Sequence, residues 1–101
     1  MSWQKNLAKS LRELRFVISP TNKHISGAYQ FINSVVPDIY KTSPEFPVIV
    51  RECEGVDDFV LFKYDYGIEK RVGINGLDAG EIEKIVQEHV KNAKKINSTM
   101  Q

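Results

Sequence analysis

One cysteine, Cys53, among 101 residues is too few for a disulfide, a Cys-x-x-Cys redox centre or a multi-cysteine zinc site. That scarcity fits a reducing compartment. Long apolar runs are missing too: Phe46 to Val50 and Phe59 to Phe62 break off far short of the roughly 20 residues that span a bilayer. Neither charge is in excess. Fourteen Lys and Arg stand against thirteen Asp and Glu, a net charge of +1, so no global field draws the molecule to nucleic acid or anionic lipid. Four prolines and six glycines, with 42% hydrophobic and 27% charged residues, exclude collagen-like and mostly disordered classes. A chain of this length buries roughly 60 to 70% of its unfolded surface in one modest core, so residues 1–101 are expected to form a single domain.

Residues 1–10 are read as an N-terminal arm. The first fifteen residues carry Lys5, Lys9, Arg12 and Arg15 but only Glu13 as an acid, with Trp3, Leu7, Leu11 and Leu14 at near-helical spacing. That pattern resembles a mitochondrial targeting segment; the reading preferred is a short basic arm or lead-in to the first strand. Leu11 to Ser19 is predicted as a strand, with Leu14, Phe16 and Ile18 alternating before Pro20. Ile25, Ala28, Ile32, Val35 and Ile39 recur at helical steps and predict a helix to about Thr42, kinked or restarted at Pro37. After the turn Ser43 to Pro47, the β-branched run Val48-Ile49-Val50 predicts a strand buried on both faces or central in its sheet.

Phe59 to Tyr66 and Lys70 to Ile74 are close enough to be an antiparallel hairpin. Asp78 with Glu81 marks a capping box. Ile82, Ile85, Val86, Val90 and Ala93 give the stripe of a helix ending near Ile96, where Lys91, Lys94 and Lys95 suit its dipole; residues 97–101 are a polar tail. The order βαβββα, a four-stranded mixed sheet with two main helices, is an α/β arrangement of thioredoxin-like type. No internal repeat or linker is visible.

Three stretches carry a family resemblance: Leu11-Arg12-Glu13-Leu14-Arg15, then Ser43-Pro44-Glu45-Phe46-Pro47-Val48-Ile49-Val50-Arg51-Glu52-Cys53, then Tyr64-Asp65-Tyr66-Gly67-Ile68-Glu69. Together they resemble the small thioredoxin-like accessory subunit of mitochondrial respiratory complex I (NADH:ubiquinone oxidoreductase), over about four-fifths of the chain. The resemblance implies a non-catalytic protein without cofactor or metal, peripheral on the matrix side of the inner membrane. Its implied partners are other matrix-arm subunits, above all the large iron–sulfur subunit of the NADH-oxidising module, with no nucleic acid and no membrane span. The same domain family includes mitochondrial ribosomal proteins, the alternative reading; a clearly basic domain with long basic extensions would be expected there.

Animal members of the family carry a second cysteine at the position of Ser19, which can pair with the one at Cys53; with Ser19 here, that disulfide cannot form. Cys53 is therefore read as a small packing residue. Asp57-Asp58 stands where thioredoxins place a cis-proline, so the thiol-substrate platform is missing. Other chemistry is equally unsupported. His24 is read as solvated and His89 as a packing residue, since neither has ligands at metal spacing. Ser19, Ser26 and Ser34 lack a base, and turn formation explains glycines 67, 73, 76 and 80. The Asn97-Ser98-Thr99 sequon is read as tail composition.

If Ser19 and Cys53 stand side by side, alternation places Glu13, Arg15 and Val17 with Ile49 and Arg51 on one face, and Leu14, Phe16, Ile18, Val48 and Val50 on the other. Phe59, Leu61 and Lys63, with Arg71, are expected to join the first set. Glu52 falls on the apolar face, which fits only at a strand end. No room exists between Cys53 and Phe59 for the usual second thioredoxin helix, so the first face should be partly open. Arg15, Arg51, Lys63, Ile49 and Leu61 are thus the candidate docking residues, a blend of cations and apolar groups suited to a protein interface.

Overall fold

The computed structural model describes the backbone of residues 2–22 and 27–98 and the side chains of residues 6–21 and 27–93. The elements in chain order are α1 (Ser2–Ser10), β1 (Glu13–Ile18), α2 (Gly27–Thr42), β2 (Val48–Glu52), β3 (Phe59–Lys63), β4 (Glu69–Gly73) and α3 (Ala79–Ser98). Expectations for Trp3, Lys5, His24, Ile25, Ser26, Lys94, Lys95, Ile96 and Thr99 concern side chains outside the described residues.

β1 and β3 alternate half-buried and buried along their length, the signature of strands with one face on a core. β1 pairs with β2 in parallel and with β3 antiparallel, and β3 pairs antiparallel with β4, giving the sheet order β2-β1-β3-β4. The expected α/β arrangement is present, with one further helix at its start. Leu14, Phe16 and Ile18 of β1, Val60 and Phe62 of β3 and the adjoining Tyr64 are essentially inaccessible. They meet Ala28, Phe31 and Ile39 of α2, and Ile82, Val86, Val90 and Ala93 of α3. Phe16 and Phe31 lie with ring centroids 5.7 Å apart. α3 starts as expected: Asp78 Oδ1 accepts the Glu81 N–H at 2.8 Å, while Glu81 Oε1 accepts the Asp78 N–H at 3.3 Å.

Several expectations need correction. Residues 2–10 are helical, and Leu7 is buried against the core with Leu11. The leucine spacing that resembled a targeting pattern thus fills space between α1 and its neighbours. The first strand begins at Glu13, because the Leu11 N–H still bonds helix-fashion to the Leu7 carbonyl at 2.9 Å. β2 is an edge strand, and Val50 is 42% exposed. Its β-branched residues satisfy strand propensity rather than burial, while Arg51 and Glu52 blunt the edge.

α2 runs through Pro37 as one helix. Pro37 and Asn33, whose carbonyl loses its partner, are both exposed, so water can take up the lost bond. The third strand stops at Lys63 rather than Tyr66, where a 3₁₀ turn over Asp65–Gly67 takes over. Gly73 ends β4 and Gly80 sits in the first turn of α3, leaving Gly67 and Gly76, both at positive φ, as the turn glycines of the four.

Candidate functional site: the uncovered sheet face

The segment joining β2 to β3, residues 53–58, turns at Glu54-Gly55 with no helix, so this link lays nothing helical over the second face of the sheet. α1 packs on α2 and α3, on the core side. Among the described residues no helix covers this second face, which strand register composes in three cross-strand rows. Arg71, Leu61, Arg15 and Ile49 form the middle row. Gly73, Phe59, Val17 and Arg51 lie in the row on one side, and Glu69, Lys63 and Glu13 in the row on the other. All five expected docking residues, Arg15, Arg51, Lys63, Ile49 and Leu61, stand on this face.

The charged row is internally compensated. Glu13 Oε2 accepts from Arg15 Nε at 3.1 Å and lies 3.8 Å from Lys63 Nζ, which also reaches Glu69 Oε2 at 3.4 Å. The Glu13 side chain is only 15% exposed, which screens this hub less than an ordinary surface pair. Val17, Ile49, Phe59 and Leu61 are half-buried and contiguous, an apolar centre beside the charged row. Arg71 lays its guanidinium carbon 3.8 Å from the Phe59 ring centroid. That contact and the hub role of Glu13 were not specified from the sequence. The hairpin register carries the signal for the first, since Arg71 opposes Leu61 and so lies diagonal to Phe59.

The Ser19 corner holds a different arrangement. Ser19 follows the Ile18–Glu52 pair, and the Cys53 N–H donates to the Ile18 carbonyl at 3.0 Å, so positions 19 and 53 are neighbours across the strands. Cys53 is exposed, not packed as expected, because it leaves an edge strand and enters an open turn. Buried Ser19 donates its N–H to Asp58 Oδ1 at 2.9 Å, and its hydroxyl pairs with Thr21 Oγ1 at 2.8 Å. Asp58 is itself buried, and its carbonyl accepts the Ile74 N–H, so it ties the ends of β1 and β4 to the start of β3. Glu52 does lie at its strand's end. Burial first, and then the Glu52 carboxylate, push the Tyr29 phenol above its usual range.

His89 packs as expected, its ring stacked on Phe62 at 4.2 Å and 6°, while its Nδ1, as donor, reaches the Ile85 carbonyl at 2.9 Å. Among the described residues no group of three His, Cys, Asp or Glu side chains is placed to hold a metal ion. Nor, among the described residues, is any helix long and apolar enough to cross a membrane.

No protein-family model matches the chain. Over 92 residues, 91% of this chain and 98% of the relative, it is 30% identical to the NADH-ubiquinone oxidoreductase 10.5 kDa subunit of Neurospora crassa. It belongs to the complex I accessory subunit family. Two further members of this family are both named NADH dehydrogenase [ubiquinone] 1 alpha subcomplex subunit 2. The Arabidopsis thaliana protein is 29% identical over 91% of this chain and 95% of its own length; the Mus musculus protein is 31% identical over 76% and 78%.

The string that carries the family resemblance most specifically has its own setting. Ser43 to Pro47 line a surface cleft of about 450 Å³ together with Ala8, Leu11 and Arg12. Phe46, also in its lining, is 4% exposed, and Arg12 pairs with Asp65 at 2.8 Å.

Proposed function

We propose that this protein is a non-catalytic structural subunit of mitochondrial complex I, peripheral on the matrix side, that stabilises the NADH-dehydrogenase module. It brings no cofactor of its own. Its role is to dock through the uncovered sheet face, against the large iron–sulfur subunit of the NADH-oxidising module. The observation that carries this reading is similarity to a NADH-ubiquinone oxidoreductase subunit across nearly the full length of both chains. The buried Asp58–Ser19 tie, at the corner where a thioredoxin would carry its paired cysteines, supports a structural role.

The test is mass spectrometry of native-gel bands from mitochondria. The protein is expected to comigrate with the NADH-dehydrogenase activity stain, and its depletion to lower the amount of that module. Recovery only with ribosomal subunits at matched salt would reject the proposal. Cys53→Ser should leave both incorporation and melting temperature unchanged, since an exposed thiol contributes little packing. Lost incorporation at unchanged stability would show that the thiol has a chemical role.

A further inference from the structure

We infer that the uncovered face is built for an acidic protein surface, one that places carboxylates on Arg51 and Arg71 and an apolar side chain between them. This deepens the docking reading above and rests on it. The argument starts from charge accounting. Among the strand residues, Arg15, Arg51, Lys63 and Arg71 face the same side as two carboxylates, Glu13 and Glu69. Both are engaged: Glu13 with Arg15 and Lys63, Glu69 with Lys63. Among the described residues, Arg51 and Arg71 have no carboxylate within 4.0 Å.

Covering such a face takes both guanidinium groups out of water, and a desolvated cation without a counter-charge is strongly disfavoured. Whatever covers it must therefore bring the missing acids. Their layout follows from the register. Arg71 lies over Phe59, and Phe59, Val17 and Arg51 are successive members of one cross-strand row. The Arg71 guanidinium over Phe59 thus lies on the strand two spacings, roughly 10 Å, from the strand that carries Arg51, with Val17 on the strand between. The Arg71 guanidinium is already seated over the Phe59 ring, and a planar guanidinium is the group best matched to a bidentate carboxylate. A nucleic acid matches this face poorly, because Glu13 and Glu69 line one end and the centre is apolar.

The experiment uses the full chain, re-expressed in cells lacking the endogenous protein, with incorporation read on native gels and purified variants melted in parallel. Leu61→Asp, at the apolar centre, is expected to block incorporation without unfolding the domain. Arg51→Glu with Arg71→Glu should lower incorporation about tenfold or more, while Arg51→Lys with Arg71→Lys retains most of it. Rebinding of the wild type to complex stripped of this subunit should weaken with added salt, and the Glu double variant should lose most of that dependence. If Leu61→Asp blocks docking but the Glu pair assembles normally, the acidic-partner inference is overturned and the docking face stands. Should Leu61→Asp also assemble normally, the docking face itself falls. Association abolished by ribonuclease would overturn the protein partner in favour of RNA. Where a Glu variant fails to fold, Arg51→Gln with Arg71→Gln takes its place, with the same two outcomes.

Discussion

Gly27 opens α2 against the turn that leads into α3. A β-carbon there would stand on the Leu77 carbonyl oxygen and 2.6 Å from the Asp78 Cα, both backbone atoms that cannot swing aside. Gly27→Ala should therefore push the two helix starts apart and cost about 2 to 3 kcal/mol, read as a lowered urea midpoint. An unchanged midpoint would mean the packed turn has slack. Tyr64 makes a different kind of demand. It is 1% exposed, and its hydroxyl has no hydrogen-bond partner among the described residues. Burial pushes its phenol from the ordinary 10.0 up to about 12. The folded state thus holds this proton more tightly than the unfolded chain, so its contribution is complete below about pH 10 and is lost as pH rises towards 12. Tyr64→Phe should cost less than about 1 kcal/mol at neutral pH and remove on the order of 1 to 1.5 kcal/mol of the alkaline destabilisation that has developed by pH 11. Denaturant midpoints at pH 7 and pH 11 test both halves, and a large neutral-pH loss would reveal a partner for the hydroxyl.

At the scale of elements, α1 depends most on packing. A helix of nine residues is too short to hold itself in water, so its order rests on burying Leu7 and seating the chain at Leu11. Leu7→Ala should cost about 2 to 5 kcal/mol. It should also release α1 to early proteolysis while the far-UV signal of the sheet persists. Loss of under about 1 kcal/mol would show that α1 contributes little to the fold. α3 differs, because its capping box and apolar stripe specify it locally before tertiary contacts act. β2 carries Val48, Ile49 and Val50 yet remains an edge, so an apolar triplet reports strand propensity and not position in the sheet.

Over the whole molecule, stability should grade outward from β1. This strand bonds to β2 on one side and β3 on the other, and its inward side chains are inaccessible. Amide hydrogen exchange should be slowest across Glu13–Ile18 and faster in the edge strands β2 and β4. Uniform protection across all four strands would indicate a single global opening instead. The uncovered face is likewise a whole-molecule property. It exists because a short link replaces a covering helix and because register brings four strands' alternate residues together.

What the sequence by itself determined was local or periodic. The order of strands and helices, the capping of α3, the alternation that separates Arg15 and Arg51 from Phe16 and Val50, and the family resemblance were all legible, because each depends on spacing along the chain. The docking of α1, the edge position of β2, the exposure of Cys53, the unbroken α2 at Pro37, the Glu13 hub and the Arg71–Phe59 contact were decided only in the tertiary structure. Each of these turns on a partner or a solvent exposure that neighbours in sequence do not specify. Which of two apolar faces is covered, and which cation meets which carboxylate, is settled when distant segments close on one another.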